Sequence, residues 1–119
     1  MAGYETRYYL RCITEDGEKL YFNTSYEYKG KTVYFFTDWL TMPAELTGCL
    51  FPGDYAAKMF EKKPSINFIK TAITYHNDKH ADEGIITKVL ICKADVIGQG
   101  LRIRIKNTSV VEKISVEDL

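Results

Sequence analysis

Apolar and polar positions alternate from the start of the chain. In residues 6–13, Tyr8, Leu10 and Cys12 fall on one face of an extended strand, and Arg7, Tyr9 and Arg11 on the other. Glu15-Asp16-Gly17-Glu18 follows, and Asp-Gly between alternating segments signals a hairpin with a type I′ turn. In residues 19–28, Leu20, Phe22, Tyr26 and Tyr28 share one face, while Tyr21, Asn23, Ser25 and Glu27 share the other. Lys29-Gly30-Lys31 is the next turn signal. Residues 32–38 carry the aromatic and β-branched types that suit a third strand. The first third of the chain therefore predicts a three-stranded antiparallel meander, with Tyr8, Phe22, Tyr26 and Phe35 inside and Tyr9, Tyr21 and Tyr34 outside.

The middle of the chain changes character. Met42-Pro43-Ala44-Glu45-Leu46 could start one helical turn, which Gly48 would end. Phe51-Pro52-Gly53 is a turn, and Asp54 is a good N-cap for a short helix near 54–63, stopped by Pro64. Residues 65–75 fit helical and strand periods alike, and their Ile and Thr content favours a strand. His76 to Gly84 reads as a polar loop. Residues 85–95 contain Val89-Leu90-Ile91-Cys92, apolar on both faces, which marks a central strand covered on both sides. Gly98-Gln99-Gly100 is a turn, residues 101–106 alternate cleanly, Asn107-Thr108-Ser109 is a further turn, and residues 110–114 form a last edge strand. Ser115-Val116-Glu117-Asp118 has the capping pattern of a helix start. The whole is an α+β fold in a single domain, residues 1–119. Its mostly antiparallel sheet has five to seven strands: the N-terminal meander, then C-terminal hairpin strands after the short helix. Three strands, a helix and two strands also match an OB-like or other partly open barrel.

Composition narrows the function classes. Sixteen Lys and Arg balance sixteen Asp and Glu, which argues against a general polyanion binder. With no net charge, self-repulsion is weak and association is easier, so a homo-oligomer is expected. No apolar run reaches the roughly 18 residues of a membrane helix, and the N-terminus lacks a signal-peptide pattern. Cys12, Cys49 and Cys92 are odd in number and widely spaced, as structural thiols in a reducing, cytoplasmic compartment would be. The aromatic residues crowd the first half: only Phe68 and Tyr75 lie beyond residue 60.

Several groups could carry chemistry. Arg102, Arg104 and Lys106 share one strand face at spacings of about 7 Å, which matches anionic groups on a phosphate backbone. Arg7 and Arg11 repeat that pattern and would complete a five-cation patch if the two strands were neighbours. Outward Tyr9, Tyr21 and Tyr34, together with Trp39, could stack bases or anchor a protein interface, where Tyr, Trp and Arg are enriched. His76-Asn77-Asp78-Lys79-His80-Ala81-Asp82 holds the only metal-like spacing, but its composition favours a solvated loop, and no metal or other cofactor is expected. Nucleophile-elbow, Walker and dinucleotide motifs are absent. An enzyme would have to rely on His76, His80, Cys92 or a base at Tyr75-His76.

No named family matches at residue level. The layout of meander, Trp39, then Phe51, Asp54, Ala56, Ala57 and Phe60 resembles small stand-alone bacterial and phage proteins. That resemblance implies an accessory protein or inhibitor that acts by binding, and it carries over no functional residue. The leading expectation is a non-enzymatic homo-oligomer that engages a protein partner through outward Tyr and Arg. The alternatives are a binder of single-stranded nucleic acid, a nucleotide or another anionic ligand, and a small metal-dependent or Cys/His enzyme.

Overall fold

The computed structural model describes residues 3–41, 56–98 and 104–119. They form β1 (Glu5–Thr14), β2 (Lys19–Tyr28), β3 (Lys31–Thr37), α1 (Ile66–Lys79), β4 (Ile86–Ile97) and β5 (Arg104–Ser115). The strands make one open antiparallel sheet in the order β3-β2-β1-β4-β5. The expected α+β class and N-terminal meander are present, and β3 and β5 are opposite edges rather than partners in a closed barrel.

Each face of the sheet carries its own apolar cluster. α1 covers one face, where Leu10, Cys12, Leu20, Phe22, Val89 and Ile91 meet Ile69, Ala72 and Ile73. On the opposite face Tyr9, Tyr21, Cys92, Ala94 and Val96 pack with Ala57, backed by Leu40 and Met59. β4 is thus the strand covered on both sides that its continuous apolar run predicts.

Residues 65–75 are not a strand. Ser65 caps α1, its Oγ accepting the Phe68 N–H at 3.1 Å, as a Ser N-cap does. The buried residues Ile69, Ala72, Ile73 and His76 stand at i, i+3, i+4 and i+7, a complete helical stripe. Burial of that stripe outweighs the strand preference of the Ile and Thr residues.

The short helix expected near 54–63 is absent from its described part, residues 56–63. β1 and β2 pair only from Arg11 to Ile13 and then splay apart. The 56–60 segment fills the fork. Phe60 N–H and C=O bond Tyr8 at 2.7 and 2.9 Å, Lys58 N–H donates to Phe22 C=O at 2.9 Å, and Asn23 Nδ2 donates to Ala56 C=O at 2.6 Å. Those backbone groups are committed to the sheet, so a period of two replaces 3.6. Ala57 and Met59 reach one cluster, and Phe60 stacks on Phe22 in the other. Asp54, Phe51 and the 42–48 turn lie outside the described residues.

Turn chemistry is redistributed. Lys29 and Gly30, with φ of 51° and 79°, form the two-residue type I′ turn between β2 and β3. At Asp16-Gly17 only Gly17 has positive φ, and the longer loop closes through Thr14 N–H to Glu18 C=O at 2.9 Å. The expected turn at Asn107-Thr108-Ser109 is instead a bulge within the continuous strand β5. Asn107 takes φ 55° there, and its Nδ2 donates to Asp95 Oδ2 at 2.8 Å. A bulge absorbs the left-handed residue without ending the strand.

Candidate functional site

A β-bulge decides which aromatic residues are available. The β2–β3 register shifts between Phe22 and Thr24, so one residue of β2 is left without a partner and the alternation reverses beyond it. Phe22 stays inside, edge-on to Phe36. Tyr26 is turned out, 52% exposed, and stacks on the half-buried Phe35 with ring centroids 5.4 Å apart. Both were expected inside. Tyr28 is 56% exposed, with the Lys29 ammonium 5.3 Å from its ring. Beyond the bulge, β2 pairs with β3 alone. This two-stranded arm packs Tyr34 against Phe68 and Tyr75 of α1, while Tyr26 and Tyr28 remain at the surface.

Tyr9 and Tyr21 were expected outside, and both are buried. The second face of the sheet is a core surface, so alternation there no longer separates inside from outside. The half-buried Arg11 sits beside both rings, its guanidinium 6.0 Å from each centroid, and a guanidinium Nη donates to Tyr9 Oη at 3.4 Å. No carboxylate among the described residues pairs with it. Its Nε is buried without a hydrogen-bond partner. Burial opposes the Arg11 charge, but Tyr21, Cys92 and Tyr9 outweigh it and hold the group above its ordinary range. Burial, followed by Cys92, pushes Tyr9 up to about 12. Arg11, Tyr9 and Cys92 line a cavity of about 180 Å³ with Thr108, Ser109 and Val110 of β5.

The five-cation patch does not form. β4 stands between β1 and β5. Ile105 packs into the Tyr9 cluster, so alternation sends Arg104 and Lys106 to the helix-covered face, opposite Arg7 and Arg11. Arg7 pairs with Glu5, and the Lys106 ammonium sits 4.0 Å from the Tyr4 ring. Arg102 lies outside the described residues. Trp39 is half-buried, and its C=O accepts the Ala57 N–H at 3.0 Å. Tyr34 is half-buried too, in a broader groove of about 580 Å³ between β3 and α1 with Thr32, Lys70, Thr71, Thr74 and Tyr75.

His76 belongs to the helix core rather than to a loop. Its Nε2 lies 2.9 Å from Gly84 C=O, and its ring is edge-on to Phe36 at 5.0 Å. Asn77 beside it clamps the start of β4, bonding Ile86 N–H at 2.8 Å and Ile86 C=O at 3.0 Å. His80 Nδ1 is 3.2 Å from Glu83 Oε2. With Asp82 these two bring three ligand atoms within 4.8 Å of one another, but both carboxylates are exposed to water. Cys12 and Cys92 are free and buried, and burial raises the pKa of each thiol, so neither is a ready thiolate nucleophile.

Reasoning from sequence therefore missed two features, the Tyr26–Tyr28 surface and the partial burial of Arg11. The signal for the first was an uninterrupted alternation that one bulge overrides. The second had a weak signal in the apolar positions on both faces of β4, which require cover over Arg11 as well. No family model, curated protein or solved structure matches this chain.

Proposed function

We propose that this chain is a non-enzymatic binding domain that engages a partner protein, itself self-associated, through the bare side of the β2–β3 arm. The observation that carries this reading is the exposure of Tyr26 and Tyr28, with Phe35 stacked beneath Tyr26. Large amphipathic rings held on a paired strand lose little entropy on docking, and Tyr is enriched at interface hot spots. The zero net charge of the chain favours association. His76 locked in the core and thiols held protonated by burial support a binding role over catalysis. The nucleic-acid reading draws less support, because Tyr9 and Tyr21, its expected stacking residues, are core.

The test is a photo-crosslinking residue placed at Tyr28 in the native host, with the same residue at exposed Glu18 as control. The reading expects a specific polypeptide crosslinked from position 28 and not from position 18, and a sedimentation coefficient above the monomer value. Identical crosslinking from both positions would refute it.

A further inference from the structure

Arg11 is the one described basic side chain with a buried donor left over, half-buried beside the Tyr9 and Tyr21 rings. An unpaired buried donor costs about 1–3 kcal/mol, more when it belongs to a charged group. A cation withdrawn from water is usually paired or neutralised by a counter-charge, and Arg11 is half-buried. Here neither the strand neighbours nor the second-face cluster supplies a carboxylate. What adjoins Arg11 is a cavity of about 180 Å³, bordered by Tyr9, Cys92, Thr108 and Ser109.

Chemistry and size together define an occupant. The Tyr9 phenol, pushed up to about 12, stays protonated at neutral pH, and the hydroxyl of Thr108 is a donor as well as an acceptor. Among the described residues no acidic side chain lines the cavity, so an anion there meets a cation and neutral donors without repulsion. Ligand pockets for drug-sized molecules run from roughly 300 to 1,000 Å³, so a nucleotide is too large to be enclosed. A volume of about 180 Å³ equals the share of roughly six waters at ~30 Å³ each, enough for one oxyanion and its residual hydration.

We propose that the cavity beside Arg11 is a binding site for a small oxyanion, a phosphate- or carboxylate-type group held by the Arg11 guanidinium and the surrounding hydroxyls. The planar guanidinium offers a fork of N–H donors matched to two oxygens of such a group. The bulge at Asn107 and Thr108 builds the wall on the β5 side, so the irregularity of β5 acquires a purpose beyond blunting the sheet edge.

The experiment titrates the intact chain with inorganic phosphate, sulfate and acetate, each against sodium chloride of matched ionic strength. The readout is the arginine ¹H–¹⁵Nε resonances, with calorimetry for affinity. The proposal expects the Arg11 Nε resonance to shift saturably with at least one oxyanion and not with chloride. Saturation by phosphate and sulfate identifies a tetrahedral group; saturation by acetate identifies a carboxylate. Arg11→Gln should weaken binding about tenfold or more, while Arg104→Gln on the other face should leave it unchanged. Arg11→Lys, which keeps the charge and loses the fork, should fall between. A resonance that moves no more with any oxyanion than with chloride would overturn the proposal in the wild-type chain, whether or not the variants fold. So would equal binding by Arg11→Gln.

Discussion

Gly84 joins the 3₁₀ turn Ala81–Glu83 to β4, at a point where backbone and packing constraints coincide. Its φ is +110° and its ψ 131°, in territory that side-chain-bearing residues rarely enter. A Cβ at this position would lie 2.8 Å from Thr14 Cγ2 and 3.2 Å from Thr14 Cβ. Thr14 is buried and cannot swing clear, since its Oγ1 accepts the Glu18 N–H at 3.1 Å. The same glycine presents its C=O to His76 Nε2, so displacing the backbone would also break the bond that seats His76. Gly84→Ala therefore combines a strained backbone, about 1–3 kcal/mol, with overpacking of about 1–3 kcal/mol. A total of roughly 2–6 kcal/mol is a large part of the ~5–15 kcal/mol that holds a domain together. Urea denaturation followed by far-UV circular dichroism would read this as a midpoint lowered by roughly 1–3 M at a slope of about 1–3 kcal/mol/M. The two components separate in a double-mutant cycle. Thr14→Ser removes Cγ2, the closest clashing atom, but keeps the hydroxyl and the Cβ, so Gly84→Ala on that background should cost less than in the wild-type chain but no less than the backbone part, about 1–3 kcal/mol. A single-mutant loss under about 1 kcal/mol would refute the backbone argument. An identical loss on both backgrounds would refute the clash.

Four further outcomes follow from particular contacts. Asn77→Ala leaves both Ile86 backbone groups without their partners, and should cost about 2–3 kcal/mol in the same denaturation assay. Tyr9 sits at about 12 in the fold against an ordinary 10.0. The folded chain therefore holds the phenolic proton that the unfolded chain releases, so Tyr9's contribution is intact below pH 10 and falls as pH rises towards 12. Alkaline titration of unfolding should show this decline, and Tyr9→Phe should flatten it. Tyr26→Ser with Tyr28→Ser removes exposed rings and the Tyr26–Phe35 stack, and should cost about 1 kcal/mol or less. Leu10→Ala, in the core, should cost about 2–5 kcal/mol by the same measure.

The parts of this fold legible in the sequence are those where one local signal agrees with the tertiary setting. Alternation over 6–13, the aromatic and β-branched run at 32–38 and the Val89–Cys92 run gave strands in the right places, because burial there follows the local period. α1 was hidden because its stripe is completed by His76, a residue whose type points to solvent. Only the Gly84 carbonyl, brought close by the turn after α1, makes that burial acceptable. The same distinction separates the two binding surfaces. For Tyr26, alternation gives the wrong face because Asn23, the extra β2 residue at the bulge, whose Nδ2 bonds the incoming Ala56, shifts the register by one. A shift of one exchanges every later inside position for an outside one, which is why Tyr26 faces out, whereas Tyr9 and Tyr21 are buried because their face of the sheet is covered. For Arg11, alternation gives the right face, but that face is covered. Leu40, Ala57 and Met59 pack onto the apolar cluster of that face, and their small or flexible side chains carry no strand-facing signature of their own. An arginine on a covered face is costly unless something compensates it, and the cavity beside Arg11 is where that compensation would sit.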